Sequence, residues 1–528
     1  MAILALPGYG QWYLAFVAWT PLLMLLLGAP RRWAILGFWA AGFLYFLGSL
    51  YWLLLVTAIG WVALAFYLSL YFLLFAVLCR WLSTGKPHVP FVLGAPVIWV
   101  AMEFLRSATW TGPDWFLFTG LPWQLAGHPL YRQLPMIQIA DLTGVYGISF
   151  LVIAVNAVLA SVMVAWLQGG LSDHRRRWGV VAAAIFVSLL VAGDLIYGCY
   201  RLAQYKPREG PRICVVQGNV PQDLKVVAGW NKLSLDELRD AANRVRSEML
   251  QAYMTVTRTA QDQPRDILVW PETTVPGPIE EDAASFLAVQ ELCRMSHSYV
   301  LVGATRDAGD GIVRQWRNSV YYYAPSATLI GTYDKLHLVP FGEYIPMVGR
   351  FPWLRHFMPP GYIATCTPGT EMVLFSLPGP GDRHWTFGTP VCFEDTMPYL
   401  IRRFRRRGAD FIVNLTNDGW FRGSYEMDQH LAISAFRAVE NRIGVVRAAN
   451  TGISAFIEPS GRIQLRLTDA RGHWREVAGT LSGRVLTDTR ETFYTRQEDV
   501  FAVTCLGWTL ILAAFKPVVT LARPALRN

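Results

Sequence analysis

Two long stretches without charged residues constrain the fold of this chain more than any other feature of its sequence. Residues 33–79 and residues 142–172 contain no Lys, Arg, Asp or Glu. An apolar run longer than about 18 residues is typical of a helix that crosses a membrane. We therefore predict a membrane domain built from apolar helices.

The remainder of the 528-residue chain predicts a second, water-soluble domain. Residues 205–499 alternate short apolar runs with charged segments and turn residues. We expect transmembrane helices in about six spans over residues 1–200, a catalytic domain over residues 201–498, and a last transmembrane helix with a basic tail over residues 499–528. The predicted spans are residues 11–28, 33–57, 61–82, 90–105, 144–167, 178–200 and 500–521.

Basic residues in the short loops predict how these spans are oriented. Arg31 with Arg32, Arg80 with Lys86, the arginines at 175–177 and the C-terminal tail fall on one side if the spans alternate. That side is expected to be cytoplasmic, which leaves the catalytic domain on the opposite face. The same loops carry much of the net charge of +9, so this charge favours contact with anionic lipid headgroups over nucleic acid binding.

The sequence disfavours a zinc site, a disulfide framework and a transport pathway. The seven cysteines have neither paired spacing nor a Cys-x-x-Cys motif, so the sequence suggests neither a zinc site nor a disulfide framework. We also expect no other metal site and no cofactor. The predicted spans contain few ionisable groups beyond Glu103 and Asp194, and both lie near span ends. A transport pathway needs such groups within the membrane.

Reactive side chains follow three short apolar runs of the predicted soluble domain. Cys392 comes directly after the run at 384–391, Glu272 follows the run at 267–270, and amide side chains follow the run at 411–413. Side chains at the carboxyl ends of neighbouring strands meet at one edge of a sheet. Cys392 alone would equally fit the usual role of a free cysteine, which is a small buried apolar side chain.

The segment 335–343, Lys-Leu-His-Leu-Val-Pro-Phe-Gly-Glu, adds a lysine to this group. A thiol needs a base to become a nucleophile, and a carboxylate in a dry cleft can be that base. A lysine ammonium and a backbone N–H can hold the oxyanion of acyl transfer. Lys335 alone is typical of a solvated lysine and Glu272 of a surface carboxylate, but together with Cys392 they form a complete acyl-transfer set.

These motifs resemble those of the nitrilase, or carbon–nitrogen hydrolase, superfamily, and most closely those of its membrane-bound apolipoprotein N-acyltransferase family. The resemblance extends along nearly the whole chain. The matching stretches are residues 216–222, 270–272, 335–343, 392–394, 414–421 and 447–454. It implies a polytopic α-helical membrane domain plus an α/β nitrilase-like αββα sandwich domain.

The resemblance also assigns roles to individual side chains. It implies that Cys392 is the nucleophile, Glu272 the general base and Lys335 the oxyanion stabiliser. Glu343 matches a second glutamate that supports these three, and Glu394 matches a further one two positions after the cysteine.

Four side chains in or beside the same motifs are candidate substrate contacts, namely Phe341, Phe393, Asn417 and Trp420. The aromatic segment at 110–118 is expected to lie at headgroup level. The apolar, aromatic segment at 346–360 fits either a loop packed on the soluble domain or a lid that touches lipid. If it is a lid, the segments at 110–118 and 351–357 are expected to close the crevice against water.

The implied reaction has two steps. A fatty acyl chain passes from a membrane phospholipid to the cysteine as a thioester, and then to the α-amino group of the N-terminal diacylglyceryl-cysteine of an apolipoprotein. This is the last step of bacterial lipoprotein maturation. The implied location is the bacterial inner membrane, with several spans and a periplasmic catalytic domain, and the expected partners are the phospholipid donor, the apolipoprotein acceptor and the bilayer.

Two alternatives remain open from the sequence. A membrane-tethered nitrilase-type amide hydrolase would use the same three residues with water as the acceptor. A non-catalytic membrane scaffold would carry an inactive nitrilase-like domain, and the intact Glu-Lys-Cys set argues against it.

Overall fold

The computed structural model describes residues 1–83, 90–109, 120–221, 235–307, 309, 315–357, 366–379 and 381–521. Over these residues the chain forms an N-terminal helical region, then two β-sheets with flanking helices, and then a C-terminal helix. The helices of the N-terminal region are α1 (Ala2–Ala5), α2 (Thr20–Gly28), α3 (Arg31–Ser49), α4 (Ala58–Ser83), α5 (Phe91–Ser107), α6 (Leu134–Ile137), α7 (Ala140–Thr143), α8 (Val145–Leu167) and α9 (His174–Ala203).

Apolar helices lie at each predicted span. Among the described residues, three helices are long and apolar enough to cross a membrane by length and composition: Ala58–Leu82, Val145–Leu167 and His174–Ala203. Trp12–Gly28 and Val500–Ala514 are shorter apolar segments. These helices fit the prediction of a membrane domain.

Helix breaks interrupt two of the predicted spans. In the span at 11–28, a 3₁₀ helix at Trp12–Phe16 precedes α2, whose first turn contains a proline that favours a new helix start there. In the span at 33–57, α3 ends at Ser49 and a 3₁₀ helix follows at Tyr51–Leu55. This second 3₁₀ helix turns toward the soluble domain, where the Trp52 and Phe421 ring centroids lie 4.7 Å apart.

Within the described residues of the soluble domain, the strands form two six-stranded sheets. The first has the strand order β12-β1-β2-β3-β4-β5 and the second has the order β11-β10-β9-β8-β7-β6. The strands are β1 (Arg208–Gln217), β2 (Ile267–Val275), β3 (Tyr299–Asp307), β4 (Trp316–Tyr323), β5 (Leu329–Asp334), β6 (Phe375–Pro378), β7 (His384–Gly388), β8 (Phe411–Thr416), β9 (Gly444–Ala449), β10 (Ala455–Ile457), β11 (Ile463–Arg466) and β12 (Gly479–Thr487).

The central strands of each sheet are parallel and buried on both faces. β1, β2 and β3 pair in parallel, as do β7, β8 and β9. Val269 and Val413 belong to the core between the sheets, whereas Leu268 and Val300 belong to a second core on the outer face of the first sheet. Near-continuous apolar strands are expected where both faces of a parallel sheet are covered.

Helices cover the outer face of each sheet. Tyr253 of α10 (Leu235–Arg258) and Leu292 of α11 (Ala283–Ser296) pack on the first sheet. Phe404 of α12 (Pro398–Arg406) and Phe436 of α13 (Glu426–Asn441) belong to the same core as the second sheet. The prediction of an αββα sandwich is confirmed.

Helix α13 joins the soluble domain to the helical region, and all of its residues are buried. The backbone N–H of Val145 donates to Glu440 Oε1 at 3.0 Å, and Trp123 Nε1 donates to Gln429 Oε1 at 2.8 Å. The chain then continues through α14 (Phe493–Gln497) into the apolar helix α15 (Val500–Leu521). The edge of the sandwich near Cys392 therefore lies beside the helical region.

Candidate active site

Cys392 lies at a sharp turn after β7, where it begins a 3₁₀ helix at Cys392–Thr396. Its φ angle is +53°, a region that residues with a side chain adopt only under local constraint. Asn414 of β8 supplies that constraint, because its Nδ2 donates to the Cys392 carbonyl at 3.0 Å. The partly buried thiol is thereby held at the edge of the second sheet.

Glu272 reaches the same place from the first sheet. β2 extends to Val275, so the prediction that this strand ends at residue 270 is wrong. The pairing with β3 is irregular beyond Trp270, and Thr273 has a φ of +47°. This irregularity lets Glu272 face Cys392, and the negative charge of its carboxylate helps raise the pKa of the thiol, whose burial is the larger cause.

Lys335 follows β5 directly and lies between the two glutamates. Its Nζ is 2.9 Å from Glu343 Oε1 and 3.7 Å from Glu272 Oε1. Asn318 joins the same two carboxylates, because its Nδ2 lies 2.7 Å from Glu272 Oε1 and 3.0 Å from Glu343 Oε1. The structure thus brings together Glu272, Lys335, Glu343 and Cys392, and adds Asn318.

The charges of this cluster favour a protonated Cys392 thiol beside the Glu272 carboxylate, which can accept its proton. Burial raises the pKa of Cys392 well above its usual range, and the Glu272 carboxylate adds to the rise. Burial opposes the charged form of Lys335, yet Glu343 and Glu272 raise the pKa of this ammonium well above its usual value. Burial also raises the pKa of Glu272, and Lys335 opposes that rise. Glu272 can therefore take the thiol proton when the thiol attacks, while Lys335 keeps its positive charge.

Glu394 connects the two chain segments that carry Lys335 and Cys392. It is fully buried and accepts hydrogen bonds from Leu336 N at 2.7 Å, His337 N at 2.9 Å and Val391 N at 2.7 Å. Burial raises the pKa of Glu394 to about 7. These contacts hold the segment that follows Lys335 against the turn that carries Cys392.

The four candidate substrate contacts lie in different environments. Phe341 is 37% exposed with a φ of +59°, and Trp420 is partly exposed. Phe393 stacks on Trp123 of the helical region, with ring centroids 6.4 Å apart. Asn417 is buried and its Oδ1 already accepts two hydrogen bonds within the protein, so it has the least capacity for a ligand.

The two aromatic segments expected to close the crevice differ in what the structure describes. The segment at 110–118 lies outside the described residues. The segment at 351–357 contains a 3₁₀ helix at Pro352–Phe357, and the Trp353 side chain is 56% exposed.

Sequence reasoning missed the buried network behind Cys392. His430 Nε2 lies 2.8 Å from Asp395 Oδ1, and His430 Nδ1 lies 3.0 Å from Asp418 Oδ1. Arg447 Nη1 lies 2.7 Å from Asp395 Oδ2. Asp395 belongs to the 3₁₀ helix that begins at Cys392, and no local pattern in the sequence pairs these distant residues.

Part of this network has the residue types of a metal site. Asp418, Glu426 and His430 each offer a ligand atom, and these atoms lie within 4.8 Å of one another. Both imidazole nitrogens, however, face aspartates, which help raise the pKa of His430 to about 10 against the effect of burial. Arg447 adds a second positive charge 3.4 Å from Asp418 Oδ2. The donor set thus fits an internal ion-pair network better than a metal.

Two family models match the chain. Residues 1–158 match the apolipoprotein N-acyltransferase N-terminal domain, and residues 230–477 match carbon-nitrogen hydrolase.

Curated relatives match over most of their length. A Geobacter metallireducens protein named apolipoprotein N-acyltransferase is 33% identical over 97% of this chain and 92% of its own. A Sinorhizobium medicae protein of the same name is 31% identical over 88% of this chain and 86% of its own length. Another, from Chlorobaculum tepidum, is 26% identical over 97% of this chain and 93% of its own length.

Proposed function

Because the chain belongs to the apolipoprotein N-acyltransferase family, we propose that it transfers a fatty acyl chain from a membrane phospholipid to a lipoprotein through a thioester on Cys392. The observation that carries the proposal is the buried cluster in which the Glu272 carboxylate faces the Cys392 thiol beside the Lys335 ammonium. The acceptor is the α-amino group of the N-terminal diacylglyceryl-cysteine of an apolipoprotein.

In the first step, Cys392 Sγ attacks the ester carbonyl of the phospholipid while Glu272 takes the thiol proton. The Lys335 ammonium stabilises the negative charge that develops on the carbonyl oxygen. Collapse of the tetrahedral intermediate breaks the ester C–O bond. The lysophospholipid leaves with the proton returned by Glu272, and the acyl group remains on sulfur.

In the second step, the acceptor amine attacks the thioester carbonyl. Glu272 takes a proton from the attacking nitrogen, and Lys335 again stabilises the oxyanion. The C–S bond breaks, the amide product leaves, and the Cys392 thiolate recovers its proton from Glu272. Each half-reaction uses the same three side chains, so one site can serve both substrates in turn.

We also propose that catalysis and membrane attachment belong to different parts of the chain. Residues 201–498 form the catalytic domain, while residues 1–200 and 499–528 hold it at the membrane. The protein resides in the bacterial inner membrane, crosses it several times, and presents the catalytic domain to the periplasm. Reporter fusions at position 171 and at the C-terminus should read cytoplasmic, and a fusion at position 310 should read periplasmic. A cytoplasmic result at 310 would contradict this orientation.

The decisive experiment mixes purified protein with phospholipid alone. A fatty-acyl adduct should accumulate on Cys392, be located by peptide mass mapping, and disappear with neutral hydroxylamine. Adding a diacylated lipopeptide with a free amino terminus should discharge the adduct, and the lipopeptide should gain the same mass.

Variants of two cysteines and of the two charged partners control this experiment. Cys392→Ala should form no adduct, whereas Cys366→Ala should retain it. Glu272→Gln and Lys335→Ala should each slow adduct formation by about 100-fold or more, because the base and the oxyanion stabiliser are separate requirements. Steady release of free fatty acid without transfer would favour the tethered hydrolase, and the absence of any adduct or turnover would favour the scaffold.

A further inference from the structure

A cluster of five arginines lies at residues 402–407 in and just after α12, and the proposed chemistry gives it no role. Three of them contact the segment at 488–499. Arg402 Nη2 lies 3.0 Å from Asp499 Oδ2, and Arg406 Nη1 lies 2.6 Å from Glu498 Oε1. Arg405 donates to the backbone carbonyl of Asp488 at 2.6 Å.

The other two, Arg403 and Arg407, are exposed, so their guanidinium groups are accessible to a partner from outside the protein. With Tyr399 they are spaced by four residues and so share one face of the helix. All three line a polar cleft of about 490 Å³. Arg407 Nη1 donates to the Met372 carbonyl, and within the described part of the chain neither guanidinium forms an ion pair.

This cleft lies close to where the chain enters its last apolar helix. Glu498 and Asp499, which pair with the neighbouring arginines of α12, immediately precede α15. The side chains of Val503 and Trp508 on α15 are exposed, as expected for a helix that faces lipid. The arginine cleft is therefore at the end of the soluble domain where phospholipid headgroups are available.

A short chain of contacts connects the cleft to the nucleophile. The Tyr399 hydroxyl lies 3.0 Å from His337 Nδ1, and the ring centroid of His337 is 5.9 Å from that of Phe393. Phe393 is the residue directly after Cys392. A lipid held in the cleft by its headgroup would thus be adjacent to the catalytic turn.

We propose that Arg403, Arg407 and Tyr399 bind the phosphodiester group of the phospholipid that donates the acyl chain. A planar guanidinium pairs well with phosphate oxygens, and two such groups beside a phenol supply charge and hydrogen-bond donors for one phosphate. This inference rests on the proposed acyl transfer and adds the feature by which the donor is recognised. Glu371 also lines the cleft and is exposed.

The test compares two acyl donors that differ in the phosphate. Acylation of Cys392 is followed by intact mass in the same detergent, with either phosphatidylglycerol or the phosphate-free ester p-nitrophenyl palmitate. In Arg403→Gln/Arg407→Gln, kcat/KM for phosphatidylglycerol should fall by about fivefold for each lost charge, mainly through KM. The rate with p-nitrophenyl palmitate should be unchanged.

A matched control and a competitor make the outcome specific. Arg406→Gln removes an exposed charge from the same helix, but this arginine pairs with Glu498, so donor use should be unchanged. Inorganic phosphate at constant ionic strength should not compete with the lipid, and strong competition would indicate a site for free phosphate instead.

Four results would overturn the inference: undiminished use of phosphatidylglycerol by the double variant, an equal loss with both donors, an equal loss in Arg406→Gln, or strong competition by inorganic phosphate. Failure of the wild-type protein to be acylated by either donor would instead count against the proposed function.

Discussion

The Lys335 ammonium lies 2.9 Å from the Glu343 carboxylate, closer than its 3.7 Å distance from Glu272. Glu343 is fixed in turn by the backbone N–H of Val339, which donates to Glu343 Oε2 at 2.8 Å. Glu343 is therefore the principal counter-ion of Lys335, and Glu272 remains available to the Cys392 thiol. Glu343 and Glu272 therefore have different roles, because Glu343 pairs with the Lys335 ammonium whereas Glu272 faces the Cys392 thiol.

Removing the charge of Glu343 should impair catalysis through Lys335. Glu343→Gln is expected to lower the rate of thioester formation on the order of 100-fold, because the ammonium would shift toward Glu272 and weaken it as a base. Single-turnover acylation with phospholipid measures this rate. Glu291→Gln, on the exposed face of α11, is the matched control and should behave as wild type. A wild-type rate in Glu343→Gln would contradict the assigned role.

The pH dependence of acylation should report the environment of Glu272. Its carboxylate form is the base, and burial raises its pKa above the usual 4.5, so kcat/KM should begin to fall at a pH above 4.5 as the solution is made acidic. Asn318 donates to the carboxylate and lowers its pKa, so Asn318→Ala should move this acidic limb to higher pH. An acidic limb that stays in place in Asn318→Ala would show that another group is responsible.

Gly303 should be intolerant of any side chain. A Cβ at this position of β3 would overlap Pro271 O and lie 2.7 Å from Glu272 Cα, and both are backbone atoms. Gly303→Ala is expected to displace Glu272 and reduce acylation at least as strongly as Glu272→Gln. Gly331→Ala in the same sheet would meet only the Phe375 side chain, at 3.3 Å, and should remain active. Equal activity of the two variants would refute this explanation.

Arg447 should be essential to the stability of the catalytic domain. Arg447→Met would leave Asp395 and Asp418 buried with one positive partner fewer, and we expect a loss of about 3–5 kcal/mol in the free energy of unfolding. Arg462→Met removes an exposed arginine 3.9 Å from Glu458 and should cost less than about 1 kcal/mol. Denaturant unfolding in detergent measures both values, and similar losses would argue against the buried network.

Local patterns were enough to predict several strands of the soluble domain. The apolar runs at 267–270 and 411–413 lie in β2 and β8. The conformation of these strands is determined by residues close in sequence, so the sequence is enough to predict them. The helix breaks near Phe16 and Ser49 were not predicted, because an uncharged apolar sequence does not reveal where tertiary packing interrupts a helix.

The sequence by itself determined that the chain has a membrane part, because residues 33–79 carry no charge that water could solvate. It also supplied the chemistry, since a thiol, two carboxylates and an ammonium occur in motifs at strand ends. Only the tertiary structure decided how these groups are paired: Glu343 with Lys335, Glu272 with the thiol, and Asn318 with both glutamates. The physical reason is that proton affinity and charge stabilisation depend on distance and burial, which arise only when two sheets bring remote segments together.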